Sequence, residues 1–300
     1  MIASGQYDVV AALGAEQMPR GFIPRPPGSQ DDPTDHDYLR WVTMGATNPA
    51  FWAMEAQRRK HDFGTSDETY ANAAVLMRRN AQGNPLARFR KPTSAAEVLA
   101  SPMVADPLHL LEICPVSDGA AAVILGTEEF ARRSGAKLVQ VAGCATATGS
   151  FGDPGRRIPT VSGNVRPGIS STSEVVTAAE RACAMAGIGP EDVDVLELAD
   201  NTAWHILAWP ELLGFCAPGE ADGLLASGAF DIGGNAVALN PSGGFLSFGE
   251  ATTAQAVLQI CEVSWQLRGT AEGHQVPDAR IGMTAVLGLS SNGGSVILKV

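Results

Sequence analysis

Residues 240–269, NPSGGFLSFGEATTAQAVLQICEVSWQLRG, join a Gly-rich turn to a stretch of helical periodicity. Ala254, Val257, Leu258, Cys261 and Trp265 recur at the three-and-four spacing of one buried helix face, and Gly269 supplies the stop. Ahead of the turn, Ala236 to Leu239 reads as a strand. Strand, Gly-rich turn and helix in that order aim backbone N–H groups and a helix N-terminus at whatever lies in front of them. The backbone of Asn240, Ser242, Gly243 and Gly244 is free to approach a ligand closely, which makes this turn the leading candidate for a ligand contact.

The 300 residues are 45% hydrophobic and 18% charged, a globular composition with enough apolar side chains for a sizeable core. The excess of 32 acidic over 21 basic residues, net −11, argues against a nucleic-acid surface, which draws on clustered Lys and Arg. No run of about eighteen apolar residues occurs, so no membrane span is expected. The N-terminus lacks the charged and apolar regions of a signal peptide, and a cytoplasmic protein is expected. Cys114, Cys144, Cys183, Cys216 and Cys261 contain no CxxC pair, the usage of a reducing compartment with thiols as small hydrophobes; Cys114 and Cys216 read as core thiols. His36, His61, His109 and His274 have no metal-site spacing, so no metal is expected.

The opening residues read as a helix end at Ala3 to Gly5, then a buried strand from Asp8 to Leu13. A Pro-rich linker, PRGFIPRPPGSQDDP, precedes two helical stretches, Asn48 to Asp62 and Asp67 to Gln82. Ala120 to Leu125 reads as a strand, Thr127 to Arg133 as a short helix, and a further strand starts within Lys137 to Val141. After a long Gly, Ser and Pro-rich loop, GSFGDPGRRIPTVSGNVRPGISSTS, strand and helix alternate. Ser173 to Ala186 is helical, Val193 to Leu198 extended, and Ala279 to Leu287 and Ser295 to Val300 are closing strands. This alternation predicts a mixed α/β sheet covered on both faces.

NPSGG followed by a helix ending in Trp-Gln-Leu-Arg-Gly resembles the C-terminal active-site loop of the thiolase superfamily, most closely its sterol carrier protein X and lipid-transfer-protein branch. GNPLARFRKP and SPMVADPLHLLEICPVSDGAAAVIL resemble that family's loop domain and return strand. The resemblance implies a layered α-β-α-β-α thiolase-like fold. Residues 1–135 would form the remainder of the N-terminal domain, with the loop domain at about 16–115, and residues 136–300 the C-terminal domain. It also implies that the family's first strands and its nucleophilic cysteine precede Met1 and are missing here.

The resemblance places the family's Gly-His-Pro at Gly249, Glu250, Ala251, so the histidine is replaced by Glu250. A His-Asp motif of the sterol carrier protein X branch falls at Ala199 and Asp200, where only the aspartate remains, and the C-terminal reactive position falls in GLSSNGG without cysteine or histidine. Thiolase-like aldolases of steroid side-chain degradation also carry Gly-Glu-Ala; their tyrosine positions correspond to Ala199 and Thr252 here. The expected acid–base groups are therefore Glu250, Asp200 and His205, with Asn240, Ser242, Gly243, Gly244, Asn201 and Ser247 contacting substrate or coenzyme A. Each has a structural alternative. Ser247 and Glu250 have the spacing of a capping box, Asp200 sits where it could cap the helix starting near Thr202, and His205 beside Trp204 and Trp209 reads equally as packing. Arg20, Arg25, Arg88, Arg90 and Lys91 are candidates for coenzyme A phosphates or solvent-facing charges.

What the resemblance implies is a thiolase-like acyl-CoA enzyme of lipid or steroid catabolism, of acyltransferase type, taking a coenzyme A thioester as substrate and holding no bound cofactor. Two alternatives stay open: a retro-aldol lyase on β-hydroxy acyl-CoA with an OB-fold accessory subunit, and a non-catalytic acyl-CoA-binding or scaffold subunit. An unpaired sheet edge implies a homodimer or hetero-complex.

Overall fold

The computed structural model describes residues 1–18, 48–149, 173–288 and 292–300. Arg20, Arg25, His36, the Pro-rich linker, nearly all of the loop at 149–173 and residues 289–291 of GLSSNGG lie outside the described residues.

The chain opens in a turn, closed by the Gly5 N–H on the Ile2 carbonyl at 2.8 Å, where a helix end was expected. It enters β1 (Val9–Glu16). Next come α1 (Asn48–Phe63) and α2 (Asp67–Ala81), each within a residue of its expected span. Helix α2 starts because the Ser66 hydroxyl accepts from the Thr69 N–H at 3.1 Å, with Asp67 and Glu68 in its positive first turn and Arg78 and Arg79 in its last. It is a central helix, burying Tyr70, Ala71, Ala74, Leu76 and Met77. A short α3 (Ala95–Ala100) and a small ribbon of β2 (Met103–Ala105) and β3 (Leu108–His109) lead to β4 (Gly119–Gly126). Strand β4 pairs antiparallel with all of β1, from Val9 opposite Gly126 to Glu16 opposite Gly119.

The remaining elements are α4 (Glu128–Arg133), β5 (Gln140–Thr148), α5 (Glu174–Ala186), β6 (Val195–Leu198), α6 (Ala203–Leu212), α7 (Ala221–Ala226), β7 (Ala238–Leu239), α8 (Gly244–Phe248), α9 (Gln255–Arg268), β8 (Ile281–Gly288) and β9 (Asn292–Lys299). They build a five-stranded sheet in the order β5-β9-β8-β6-β7, antiparallel as far as β8 and parallel from β8 to β7. Alternation along the strands divides two cores. Leu196, Leu198, Met283 and Ile297 face α2, α5 and α6, whereas Val195 and Leu298 face Val263 and Leu267 of α9.

Helix α9 lies between two sheets, because its other side meets β1 and β4: Gly14 backs onto Thr253 and Ala254, and the Cys261 thiol reaches the Ala122 carbonyl at 3.6 Å. This position changes the expected burial pattern. Val257, Leu258 and Trp265 are only partly covered, while Gln255, Gln259, Glu262 and Gln266 are buried. The Gly-rich turn also feeds α8 first rather than α9, since Gly249 at φ +104° ends the helix that starts at Gly244.

Outward, the β1–β4 sheet carries no cover among the described residues. Leu13 and Ile124 are 74% and 66% exposed, and Ala11, Ala15, Ala120 and Ala122 share their face.

Candidate active site

The turn after β7 owes its shape to one side chain. Strand β7 pairs with β6 for only two residues, after which the Asn240 amide replaces the next stretch of main chain. Its Oδ1 accepts from the Leu198 N–H at 2.7 Å and its Nδ2 donates to the Leu198 carbonyl at 3.2 Å. The chain turns away at φ +43°, a left-handed conformation that asparagine tolerates, without stripping β6 of partners. Asn80 of α2 donates to the carbonyls of Leu239 and Asn240 at 2.9 and 3.1 Å, and Asn84 donates to that of Ser242 at 3.0 Å, so the turn is held from both sides.

Two buried carboxyl groups stand behind the turn. Glu197 accepts from the Ser242 N–H at 3.0 Å and the Ser242 hydroxyl at 2.8 Å, and that hydroxyl accepts from the Gly244 N–H at 3.1 Å. Asp200, at the C-terminal end of β6, accepts from the Phe245 and Leu246 N–H groups at 2.6 and 3.3 Å. It therefore caps α8, forty-five residues onward, rather than the adjacent α6. Burial pushes both carboxyls well above the usual range, although these N–H groups oppose the shift. A Cβ on Gly244 would collide with the Asp200 carboxylate and the Asn240 amide, and only glycine fits there.

Glu250 comes to a different place from that expected of a capping residue. Helix α9 begins five residues later, and the extended backbone after Gly249 swings Glu250 onto the segment 113–117. Its N–H donates to the Pro115 carbonyl at 2.9 Å, and the Ser117 N–H donates to its carbonyl at 2.8 Å. On the other side of the same segment, the Cys114 N–H donates to the Asn201 carbonyl at 2.9 Å. Three chain segments far apart in sequence are thus stitched edge to edge, and three side chains meet. The Cys114 thiol donates to Glu250 Oε2 at 2.9 Å, and Asn201 Nδ2 donates to Glu250 Oε1 at 2.8 Å and lies 3.8 Å from the Cys114 sulfur. Burial raises the Glu250 carboxyl against these hydrogen bonds, and burial with the nearby Glu250 charge raises the Cys114 thiol.

His205 is turned elsewhere. Its Nδ1 receives the Thr202 N–H at 3.1 Å at the start of α6, and its ring is enclosed by Trp52, Trp204 and Trp209. A backbone N–H at Nδ1 fixes that nitrogen as acceptor and puts the proton on Nε2. Burial lowers its pKa to about 3, so the ring is neutral. Ser247 is buried with its hydroxyl unpartnered, and its carbonyl accepts from Phe89 N–H at 2.9 Å. Arg88 bonds the Val116 carbonyl and the Ser117 hydroxyl, the latter at 2.7 Å, bracing the segment that Glu250 pairs with.

The structure thus brings Asn240, Ser242, Gly243, Gly244 and Asp200 into one buried turn, and Glu250 and Asn201 into a second cluster beside it. Cys114 is the member that reading by residue type missed. A signal was present: a cysteine followed by proline, in a run with neither helical nor strand period, marks a fixed irregular segment. A groove of about 430 Å³ on α1, lined by Ala53, Met54, Gln57, Arg58 and Asp106, shares no residue with either cluster. Among the described residues no group of three His, Cys, Asp or Glu side chains is placed to hold a metal ion, and no helix is long and apolar enough to cross a membrane.

A family described as Thiolase C-terminal domain-like matches residues 160–299. Over 299 residues the chain is 36% identical to an acetyl-CoA acetyltransferase of Methanothermobacter thermautotrophicus, covering 100% of this chain and 74% of that protein. The chain belongs to the thiolase superfamily. A second relative, sterol carrier protein 2 of Oryctolagus cuniculus, is 32% identical over 307 residues; all of this chain matches 54% of that protein, about half its length. Among solved structures, an Ltp2-ChsH2(DUF35) aldolase superposes with a TM-score of 0.80 at 28% identity, covering 100% of this chain and 74% of that one. The thiolase-like α/β fold accounts for the sheet of five strands, the helices on its two faces and the second sheet beyond α9.

Proposed function

We propose that this thiolase-superfamily chain is an acyl-CoA enzyme of acyltransferase type, in which Glu250 moves the proton at the carbon beside a coenzyme A thioester. The observation that carries this reading is the Glu250 carboxyl itself. It is partly buried, raised above the ordinary carboxylate range by loss of solvent, and held at 2.8 and 2.9 Å by Asn201 and Cys114. A base for proton transfer works best with a pKa drawn toward neutrality and an orientation fixed by neighbours. Coenzyme A thioester is substrate here, and no bound cofactor is needed. The Asn240 to Gly244 turn supplies close backbone approach, and Asp200, Ser242 and Ser247 shape its walls. His205 supports α6 from within its tryptophan cage. Lipid or steroid breakdown is the proposed setting.

A second reading is retro-aldol cleavage of a β-hydroxy acyl-CoA, favoured by the 0.80 TM-score with a protein named as an aldolase. That name joins two proteins, and with the apolar face of the β1–β4 sheet that no described residue covers it supports work in a homodimer or hetero-complex, an OB-fold accessory subunit included.

The test is turnover of a β-keto acyl-CoA with free coenzyme A, set beside turnover of a β-hydroxy acyl-CoA without it. Glu250→Gln is expected to lower the favoured reaction by about a hundredfold or more while the circular dichroism spectrum stays unchanged. Unaltered turnover in this variant would remove Glu250 from the mechanism. Cleavage of the β-hydroxy substrate alone would select the second reading.

A further inference from the structure

We propose that Glu262 and His274 are positioning residues for the Gly-rich turn, a buried relay that acts through Glu197 on Ser242 and Gly244 and so sets how firmly the turn holds a coenzyme A thioester. The proposal rests on the acyl-CoA reading above and adds to it two residues that act through others.

The relay begins in the loop after α9. His274 is buried, and its ring is held at both nitrogens: Nδ1 faces the Glu272 carbonyl at 3.0 Å and Nε2 faces Glu262 Oε1 at 2.9 Å. A carbonyl only accepts, so Nδ1 carries a proton, and a carboxylate at Nε2 asks for a second. The ring therefore sits as an imidazolium against Glu262. Burial works against that charge, but the hydrogen bond to Glu262 and its negative charge outweigh burial and raise the imidazole above its ordinary value. Gln266 fixes the same loop. Its amide donates to the His274 carbonyl at 2.9 Å and to Glu262 Oε1 at 2.8 Å, and accepts from the Val276 N–H at 2.7 Å.

Two routes lead from this loop to the turn, and the first runs through carboxyl groups. Val195 of β6 packs with Val263 and Leu267 of α9, and Glu197, two residues on, lies on the same face of the strand. There it meets the charge of Glu262. Both Glu197 oxygens are taken by Ser242, through its N–H and its hydroxyl, and that hydroxyl takes the Gly244 N–H. Among the described residues no donor reaches the buried Glu262 Oε2, so little screens its charge from Glu197.

The second route is backbone. A Cβ on Gly83 would fall 1.7 Å from the Gly273 carbonyl oxygen, so the loop that carries His274 and the loop after α2 touch through bare main chain. The next residue on that side, Asn84, donates to the Ser242 carbonyl at 3.0 Å. Ser242 is thus gripped at its N–H and hydroxyl by one route and at its carbonyl by the other, and both start from the loop of His274.

Loss of the imidazole proton breaks the first route by geometry alone. Nδ1 keeps its hydrogen for the Glu272 carbonyl, so Nε2 presents a lone pair to Glu262 Oε1, and two acceptors face each other. Glu262 must then turn away or take a proton, and either change alters the charge that Glu197 meets while it holds Ser242. The other titratable groups along the path are Asp200 of β6, which also acts on Glu197, and Cys261 of α9, beside Glu262. Asp200 is engaged by α8 and Cys261 by the Ala122 carbonyl, so neither bonds to the relay.

The first half of the test needs no substrate. Amide NMR spectra of the full chain are recorded from pH 5 to 10 together with the His274 ring signals. The Ser242 and Gly244 N–H signals are expected to titrate with the His274 midpoint, above the ordinary histidine value of 6.5. They are expected to stop doing so in Glu262→Gln and in His274→Gln, whose amide can still donate to Glu262 but cannot titrate. Signals that stay fixed through the His274 midpoint in the wild type, or that titrate unchanged in His274→Gln, would overturn the relay. The wild-type spectra decide the matter alone should a variant misfold. In the second half, calorimetry follows binding of S-hexyl-coenzyme A, a thioether that cannot transfer an acyl group, on either side of the His274 midpoint. The wild type is expected to bind about tenfold more weakly on the alkaline side, and His274→Gln to show no such change. Equal wild-type binding on both sides would remove the relay's hold on substrate. No binding at either pH, with the amides titrating as expected, would end the acyl-CoA reading and leave the coupling of His274 to the turn standing.

Discussion

Replacing Asn240 by alanine removes the side chain that stands in for main chain at the edge of β6. The Leu198 N–H loses its 2.7 Å acceptor and the Leu198 carbonyl its 3.2 Å donor, both in a fully buried strand. Leaving a buried N–H unmatched costs about 1–3 kcal/mol, and weakening a carbonyl costs less. Alanine must also hold the left-handed φ of +43°, which adds roughly 1–2 kcal/mol. The expected loss is therefore about 4 kcal/mol for Asn240→Ala. Glycine loses the same hydrogen bonds but is at ease in that conformation, so Asn240→Gly should lose about 1 kcal/mol less. Urea denaturation followed by circular dichroism gives both values from the midpoints and slopes. An Asn240→Ala protein within about 1 kcal/mol of wild type would refute the idea that the amide replaces a strand. Glycine proving no better than alanine would refute the backbone part of it.

Three other outcomes follow from the same geometry. Burial raises the Glu112 carboxyl to about 7, against the opposing His109 N–H, so its contribution to stability is complete below the ordinary carboxylate pKa of 4.5 and lost as pH rises through 7. Glu112→Gln should remove about 3 kcal/mol of that decline, seen as a flatter urea midpoint between pH 4.5 and 8, and an unchanged slope would count against it. His205, with its pKa lowered to about 3 by burial, should keep the Nε2–H tautomer from pH 5 to 8 in nitrogen NMR spectra, and a titration midpoint near 6.5 would mean that water reaches the ring. Arg59 of α1 binds Glu211 of α6 and Asp222 beside α7's start at 2.7 Å each, all with little exposure on the Arg59 and Glu211 side chains; Arg59→Met should cost about 3–5 kcal/mol by leaving those acids uncompensated, and a cost under about 1 kcal/mol would show them rehydrated.

Local signals made much of the fold legible. The stretches read as helical at 48–62 and 67–82 became α1 and α2 within a residue, Gly269 ended α9 in a left-handed cap, and the alternation of strand and helix in the last hundred residues anticipated the covered sheet. What failed was local inference about which way a side chain turns. Ser247 and Glu250 have capping-box spacing, but Gly249 breaks the helix between them and sends Glu250 to a strand-like segment 136 residues earlier. Asp200 lies beside α6 and caps α8 instead, because β6 and β7 are neighbours in the sheet and their loops meet. The inward polar row of α9 was hidden for a related reason: a helix with a sheet on either side keeps only a narrow solvent face, so hydrophobic period alone cannot identify its buried residues. Residue identity put Asn240, Asn201 and Glu250 in the neighbourhood. Only the sheet topology brought Cys114 to them.

The β1–β4 sheet is one strand-layer thick, and its inner side meets residues 251–254 closely at Gly14, at Gly119 and at the Ala15 carbonyl, which accepts from the Thr253 hydroxyl. A Cβ on Gly14 would sit 2.6 Å from the Thr253 carbonyl oxygen, and one on Gly119 would sit 2.9 Å from the Ala251 Cβ. Those contacts flank Glu250 on its C-terminal side. Because packed interiors compress little, a load applied to Leu13 and Ile124 from outside has no slack to absorb it before it arrives at residues 251–254. The sheet behaves as a diaphragm: whatever leans on its outer surface sets the tension on the loop that aims the carboxylate.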